Sequence, residues 1–430
     1  MAESTTVTLA NAELFKQKAV VWANYFKVAC LLDSNSYAYR NYSSIDWLLA
    51  VDAVSETEHT DTLSEWLKDT DQKIFGFLSY DYKNQLEKLT SNRIDKLQFP
   101  ELYFFKPRYI FEIIENRITI NRNYPETFEL IELIERLPLP DTEKDISSNQ
   151  EIELSPRTSK ETYLQNVEKI KSQIEAGDFY ELNYCNEFYN QNASVNPVHI
   201  FNLLNKKSKA PFSVFFKLNS KYLLCASPER FLRKNGSLII SEPIKGTIKK
   251  GTTKEENDIQ KELLRTNEKE RAENVMIVDL VRNDLARSSQ PGSVKVQELC
   301  AVYEFNSVHQ MISTVTAEIA DGVLPIDVIR HAFPMGSMTG APKVEVMKNI
   351  EQYEDFKRGL YSGCMGYFTP QNDFDFNVVI RSIFYESSTD YLSIRAGGAI
   401  TYDSTAENEW NEMLLKTQSL TEVLHAKIVF

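Results

Sequence analysis

Ser241-Glu242-Pro243-Ile244-Lys245-Gly246-Thr247 is the stretch around which the chain can be read. It follows two strand patterns: Tyr222–Ala226, running into Ser227-Pro228-Glu229, and Phe231-Leu232-Arg233, resuming at Leu238-Ile239-Ile240. Lys234-Asn235-Gly236-Ser237 joins the halves of the second pattern as a hairpin, because Asn-Gly accepts the positive φ values of a tight turn. Lys245 thus leaves a buried strand end after an apolar Pro-Ile pair, and Gly246 lets the backbone turn behind it. An amine in that position sheds part of its hydration, which favours the neutral form and makes it a nucleophile or base. By itself a Lys-Gly pair reads equally as a surface turn. The rest of the chain decides between the two.

The 430 residues leave room for one large or two ordinary domains. A hydrophobic share of 42% with 25% charged residues is that of a soluble globular protein. The net charge of −13 argues against nucleic acid as a partner, since phosphate binding wants a basic surface. No apolar run approaches the length of a bilayer span, so no membrane association is expected. Cys30, Cys185, Cys225, Cys300 and Cys364 are far apart and form no C-x-x-C pair, which reads as buried thiols in a reducing compartment. The opening Met1–Thr6 lacks the basic and apolar segments of a signal peptide, and a cytoplasmic protein is expected.

Residues 1–140 read as an α+β unit, with a hairpin pivoting at Glu115-Asn116-Arg117 and a helix over Phe128–Leu137. The polar stretch Pro138–Ser159 connects it to a second region, 158–425. There a helix opens at Thr158-Ser159-Lys160-Glu161, repeats apolar residues at Tyr163, Val167, Ile170 and Ile174, and closes at Gly177. Strands follow at Phe179–Tyr189 and Phe212–Leu218. Strands in series with helices before and after predict antiparallel sheets backed by helices rather than βαβ alternation. No G-x-G-x-x-G or G-x-x-x-x-G-K-[ST] occurs, so nucleotide binding has no support.

A long helix is predicted over Lys254–Leu285, broken near Arg265-Thr266-Asn267, with Val275–Val281 apolar all round and hence buried. Glu270 and Glu273 share one face of it, and Glu409 and Glu412 repeat the spacing on a helix beginning around Ser404. Two such pairs suit a hard divalent cation such as Mg²⁺; as isolated patterns they are also ordinary solvated faces. Between them lies Phe333-Pro334-Met335-Gly336-Ser337-Met338-Thr339-Gly340-Ala341-Pro342-Lys343, whose glycines and hydroxyls offer backbone amides to an anion. Arg381, on the apolar strand Val378-Val379-Ile380, is a fork for a carboxylate.

Taken together and in order, these motifs resemble the chorismate-utilising enzymes. They are Ser227-Pro228-Glu229, Pro243–Thr247, Arg271-Ala272-Glu273-Asn274 with Val278–Asp284, Gly336–Lys343, Arg358–Tyr361 with Arg381, and Ala396–Gly398 with Glu409–Glu412. The resemblance implies an α+β fold of two packed antiparallel sheets flanked by helices. It also implies Lys245 and Glu229 as catalytic residues, and Glu273 and Glu412 as Mg²⁺ ligands with Glu270 and Glu409 holding metal-bound waters. Thr247, Ser337, Tyr361, Arg381, Gly397 and Gly398 would bind substrate. More weakly, Leu31-Leu32-Asp33-Ser34 resembles the segment that holds tryptophan in some members.

Within the family, Lys245 points to the para-aminobenzoate (aminodeoxychorismate) synthases, where the matching lysine attacks C2 of chorismate as the C4 hydroxyl leaves. Anthranilate synthases usually carry alanine there. Glu181 stands where isochorismate and salicylate synthases have their water-activating lysine, so water addition is disfavoured. Gln310 stands where the family usually has a histidine associated with pyruvate elimination, which weakens the anthranilate reading and leaves open a non-catalytic chorismate-binding relative. No cysteine has a nucleophile-elbow setting, so ammonia is expected from a separate glutamine amidotransferase subunit.

Overall fold

Alternation of apolar side chains along the strands sets the architecture of the computed structural model, which describes residues 4–37, 45–121, 127–140, 151–305 and 308–430. Cys30, Leu32, Val214, Phe216, Leu223 and Cys225 point into one core. Their neighbours Ala29, Leu31, Phe215, Tyr222 and Leu224 point into another. A strand whose successive side chains alternate in this way is buried on both faces and needs cover on each.

One antiparallel path runs from Ser4–Thr8 through Arg117–Asn121, Leu102–Ile114, Trp47–Thr57, Val28–Asp33, Phe212–Leu218, Lys221–Ser227, Ser382–Glu386 and Tyr391–Ile400 to Glu181–Asn190. A second leaves the same Leu102–Ile114 strand through Ile74–Leu78, Cys364–Phe368, Phe374–Val378, Arg230–Asn235 and Leu238–Glu242 to Val308–Glu318. Val308–Glu318 also carries Ile244–Lys249 and Lys295–Glu304. The two paths pack face to face: Phe77 of the second meets Phe216 of the first edge-on, 5.4 Å between ring centroids. Helices Ala12–Ala23, Lys160–Ala176, Pro197–Ser208, Lys343–Tyr353 and Ala406–Leu424 cover the outer face of the first path. The fold is therefore α+β, two packed antiparallel layers flanked by helices.

Strand pairing joins the two sequence regions: Val28–Asp33 lies beside Phe212–Leu218, and Ile74–Leu78 beside Cys364–Phe368. Within the expected connection Pro138–Ser159, residues 141–150 lie outside the described residues. All five cysteines are buried and free. Among the described residues no helix is long and apolar enough to cross a membrane.

The predicted helix break falls at Asn267, which ends Lys254–Thr266 and caps Glu268–Ala286 by accepting from the Glu270 amide at 3.1 Å. The expectation that Val275–Val281 is buried all round is corrected. Val275 is 39% exposed, and Asn274, Ile277, Val278 and Val281 form a single buried stripe. One face suffices, because only one side of this helix meets the sheet.

Arg358 holds the elements around the site together. It is buried and paired with Glu354, Nε to Oε2 at 2.8 Å and Nη2 to Oε1 at 2.6 Å. It also donates to the Met338 carbonyl at 2.6 Å and the Asn183 carbonyl at 2.8 Å, and lies 4.6 Å from the centroid of the Tyr80 ring. Removing one partner of such a pair strands the other's charge. Arg358→Met is therefore expected to cost about 3–5 kcal/mol in urea unfolding, and the double variant Arg358→Met/Glu354→Leu should recover part of that loss.

Candidate active site

Lys245 belongs to the strand Ile244–Lys249, and the helix Glu268–Ala286 fixes its backbone. The Asn274 amide donates to the Lys245 carbonyl at 3.5 Å and the Met311 carbonyl at 3.4 Å, and Asn274 in turn accepts from the Ser313 hydroxyl. Gly246 has φ +91°, and a Cβ there would sit 3.0 Å from Glu270 Oε2. That position therefore wants glycine for its conformation and its proximity to the acidic helix. The Lys245 side chain is 12% exposed, and its Nζ donates to Glu181 Oε1 at 2.9 Å. The sequence led us to expect a neutral amine. Burial does pull its proton affinity down, but Glu181, Glu273 and Glu229 outweigh burial and hold Lys245 above the ordinary lysine value. In this state it is an ammonium.

Glu229 follows the strand Lys221–Ser227 and is buried. It does not pair with the neighbouring Arg230, which is taken up by Glu242 and Asp375. Burial pushes its carboxyl up to about 7, against the Ser337 hydrogen bond and the Lys245 charge, which lower it. The Ser337 hydroxyl donates to Glu229 Oε1 at 2.8 Å. The same short turn, Gly336–Met338, braces the Glu181 strand: Asn183 donates from its amide N–H to the Thr339 carbonyl at 2.7 Å and from its side chain to the Ser337 carbonyl at 3.2 Å. Gly340, at φ +146°, lies where a Cβ would come within 2.0 Å of the Glu181 carbonyl, so no other residue permits this approach. One turn thus places Glu229 and Glu181 near the same lysine. Glu229, Ser337 and Pro243 line a small pocket.

The two acidic helices face each other. Lys269 stands between them, its Nζ 3.9 Å from Glu273 Oε1 and 4.0 Å from Glu409 Oε1. Burial pushes Glu273 up to about 7, with Lys245 opposing and Glu181 and Glu270 adding to the rise. Burial followed by the Glu412 charge raises Glu270, and burial also raises Glu409 against its bond from Ser404. Glu412 is held down by Lys416, 2.8 Å away. A cation among these carboxylates would relieve both burial and repulsion, and the Lys269 ammonium already occupies such a place. All-oxygen donors without His or Cys match Mg²⁺. Among the described residues no three close carboxylates make a finished metal cage. The set fits a hydrated ion held by few direct bonds better than an all-protein cage.

Arg381 holds a φ of +53°, a strained conformation for a non-glycine residue. Its guanidinium makes no ion pair among the described residues and donates to the Lys416 carbonyl at 3.2 Å. Tyr361 is buried, its hydroxyl 3.7 Å from Cys185 Sγ. Gly397 and Gly398 lie on the strand Tyr391–Ile400 opposite Cys185 and Tyr184. Thr247 is exposed, opposite Gln310 and outside the buried cluster. Gln310 is buried, and its amide oxygen has no hydrogen-bond partner among the described residues. Its neighbour His309 bonds Asn257 at 2.8 Å; adjacent strand residues point to opposite faces, so His309 cannot stand in for Gln310. Leu32, Asp33 and Ser34 line a separate pocket with Arg230, Phe212 and Met365.

Sequence reasoning missed Lys416, whose ammonium donates to the Gly397 carbonyl at 2.9 Å as well as meeting Glu412. The signal was available, since Lys416 lies one helical turn after Glu412. The ion pair of Lys245 with Glu181 was also missed, and no local spacing could have revealed it.

The sequence profile of the chorismate binding enzymes matches residues 15–422. The aminodeoxychorismate synthase component 1 of Bacillus subtilis is 33% identical over 390 residues, 88% of this chain and 82% of that protein. The chloroplastic aminodeoxychorismate synthase of Arabidopsis thaliana is 40% identical over 277 residues, 64% of this chain but only 30% of that longer protein. The crystal structure of anthranilate synthase component I from Streptococcus pneumoniae superposes with a TM-score of 0.75 at 24% identity, covering 90% of this chain and 95% of that one, which speaks for the fold alone. A profile spanning nearly the whole chain, on a fold that gathers Lys245, Glu229, Ser337 and the two acidic helices, places this protein in the family of chorismate binding enzymes.

Proposed function

We propose that this chain is the chorismate-aminating component of an aminodeoxychorismate synthase, converting chorismate and ammonia to 4-amino-4-deoxychorismate on the way to para-aminobenzoate and folate. The observation that carries the reading is a lysine held by Asn274 in a largely buried site, beside a protonatable carboxyl whose hydroxyl partner is fixed. The length and identity of the match to the Bacillus subtilis enzyme support it. In this reading the Lys245 amine attacks C2, the double bond shifts, and the C4 hydroxyl departs with a proton from Glu229. Ammonia then attacks C4 and expels Lys245 from C2. Two allylic displacements leave nitrogen at C4, an outcome that direct attack at C2 cannot give.

Arg381, Tyr361 and Ser337 would hold the enolpyruvyl carboxylate and the ring, with the Gly397-Gly398 backbone alongside. Glu273 and Glu412 would hold Mg²⁺, with Glu270 and Glu409 on its waters, and the bound ion would screen the ring carboxylate. Ammonia would come from a glutamine amidotransferase subunit, as the relative's "component 1" suggests. Five free buried thiols agree with a cytoplasmic setting.

Product analysis tests the reading: chorismate, Mg²⁺ and ammonium should yield 4-amino-4-deoxychorismate. Anthranilate formed without an added lyase would overturn the assignment, and binding of chorismate without turnover would favour the non-catalytic alternative. Lys245→Ala should abolish turnover while leaving chorismate binding measurable by calorimetry. Glu229 is neutral below its value of about 7 and ionises above it. With Mg²⁺ saturating, kcat/KM should therefore fall by about tenfold per pH unit on the alkaline side, and Glu229→Gln should lower kcat by roughly 10²–10⁴-fold and erase that limb.

A further inference from the structure

An ammonium cannot attack carbon, and the structure keeps Lys245 as one. We propose that Glu181 takes the Lys245 proton, so that the amine is made inside the site and its proton never leaves it; this rests on the lysine-adduct reading above. Glu181 is the carboxylate hydrogen-bonded to Lys245 Nζ, at 2.9 Å, and its side chain is 1% exposed. Its second oxygen is buried and accepts no hydrogen bond among the described residues. A structural ion pair would satisfy both oxygens, whereas a proton acceptor gains from having one unengaged.

The other carboxylates facing the lysine have different work. Glu229 accepts from Ser337 and must itself give a proton. Glu273 faces Lys269, and Glu270 and Glu412 act on Lys245 only through charge. Transfer from Nζ to Glu181 removes two opposite charges from a site with little water, so the neutral pair gains most when substrate covers the cavity.

The N–H bond of Lys245 breaks and an O–H bond forms on Glu181. The freed nitrogen lone pair forms the bond to C2 as the C4 hydroxyl leaves as water with the Glu229 proton. Ammonia adds at C4 and gives a proton to Glu229, the C2–N pair returns to Lys245, and Glu181 hands its proton back.

The test is Glu181→Gln, which keeps the shape and the hydrogen-bond acceptor but cannot take a proton. Its kcat at pH 7 should fall by roughly 10²–10⁴-fold, with the chorismate dissociation constant unchanged. Without Glu181 the proton must go to solvent, so the ratio of variant to wild-type kcat should climb by about tenfold per pH unit from about pH 7 to 9, a quotient from which the Glu229 limb cancels. A ratio independent of pH, or a variant as fast as wild type, overturns the proposal. Glu181→Ala gives a second arm: formate should restore turnover, and equal rescue by formamide would show that only space was being filled. Lys245→Ala runs in parallel. If it is dead while Glu181→Gln is unimpaired, the adduct stands and the role of Glu181 falls; if it turns over normally, the adduct reading itself fails.

Discussion

The buried bidentate pair of Arg358 and Glu354 is the constraint on which the site depends. Three chain segments distant in sequence end on this one guanidinium: the Gly336–Met338 turn through the Met338 carbonyl, the Glu181 strand through the Asn183 carbonyl, and the Tyr80 ring through its face. Burying a charge costs more than an isolated pair returns, so the arrangement holds only because Arg358 spends its donors on carbonyls that would otherwise be orphaned. Its own carbonyl accepts from Arg395, which also donates to Glu187 at 3.0 Å. The site is thus built on a chain of satisfied charges, which fixes positions where apolar packing would tolerate sliding.

On that frame sits a region that is not satisfied. Among the described residues Glu181 Oε2 and the Gln310 amide oxygen lack hydrogen-bond partners, Arg381 makes no ion pair, and Arg381 and Ser362 hold positive φ values of 53° and 63°. Carboxyls at Glu229 and Glu273 are pushed to about 7. Costs of this kind persist only where the surroundings hold them in place, as the paired Arg358 and Glu354 do for the elements that carry Glu181 and Ser337.

Much of this was legible in the sequence, and the reasons differ from element to element. The Lys234–Ser237 hairpin, the Gly177 helix end and the joint at Asn267 were readable because each rests on local turn or cap chemistry. The acidic helices were readable as spacing and the antiparallel sheets as the order of strands and helices, while the packing of two layers came only with the family resemblance. What local spacing could not show was the sign of the Lys245 shift, since it depends on Glu181, a residue on another strand. Burial alone predicts a neutral amine, and three carboxylates reverse that prediction. Val275 failed for the opposite reason: composition said buried, but a helix lying on a sheet buries only the stripe that touches it.

The charge balance of the site bears on the metal. Glu181, Glu229 and Glu273 act on Lys245, and Glu270, Glu409 and Glu412 lie beside them, in a protein of net charge −13 whose substrate, on the proposed function, is a dicarboxylate. Lys245, Lys416 and Lys269 each already face a carboxylate, and Arg381 makes no ion pair among the described residues. One guanidinium does not offset a substrate carrying two negative charges against that many glutamates. On the proposed function, either most of these carboxyls are protonated or a divalent ion would balance them. Glu412, held below its ordinary value by Lys416, stays ionised through neutral pH and would be available to such an ion. On the Mg²⁺ site proposed above, the acidic helices would be the counter-charge of that cation. Without one they would repel the dicarboxylate of the proposed function.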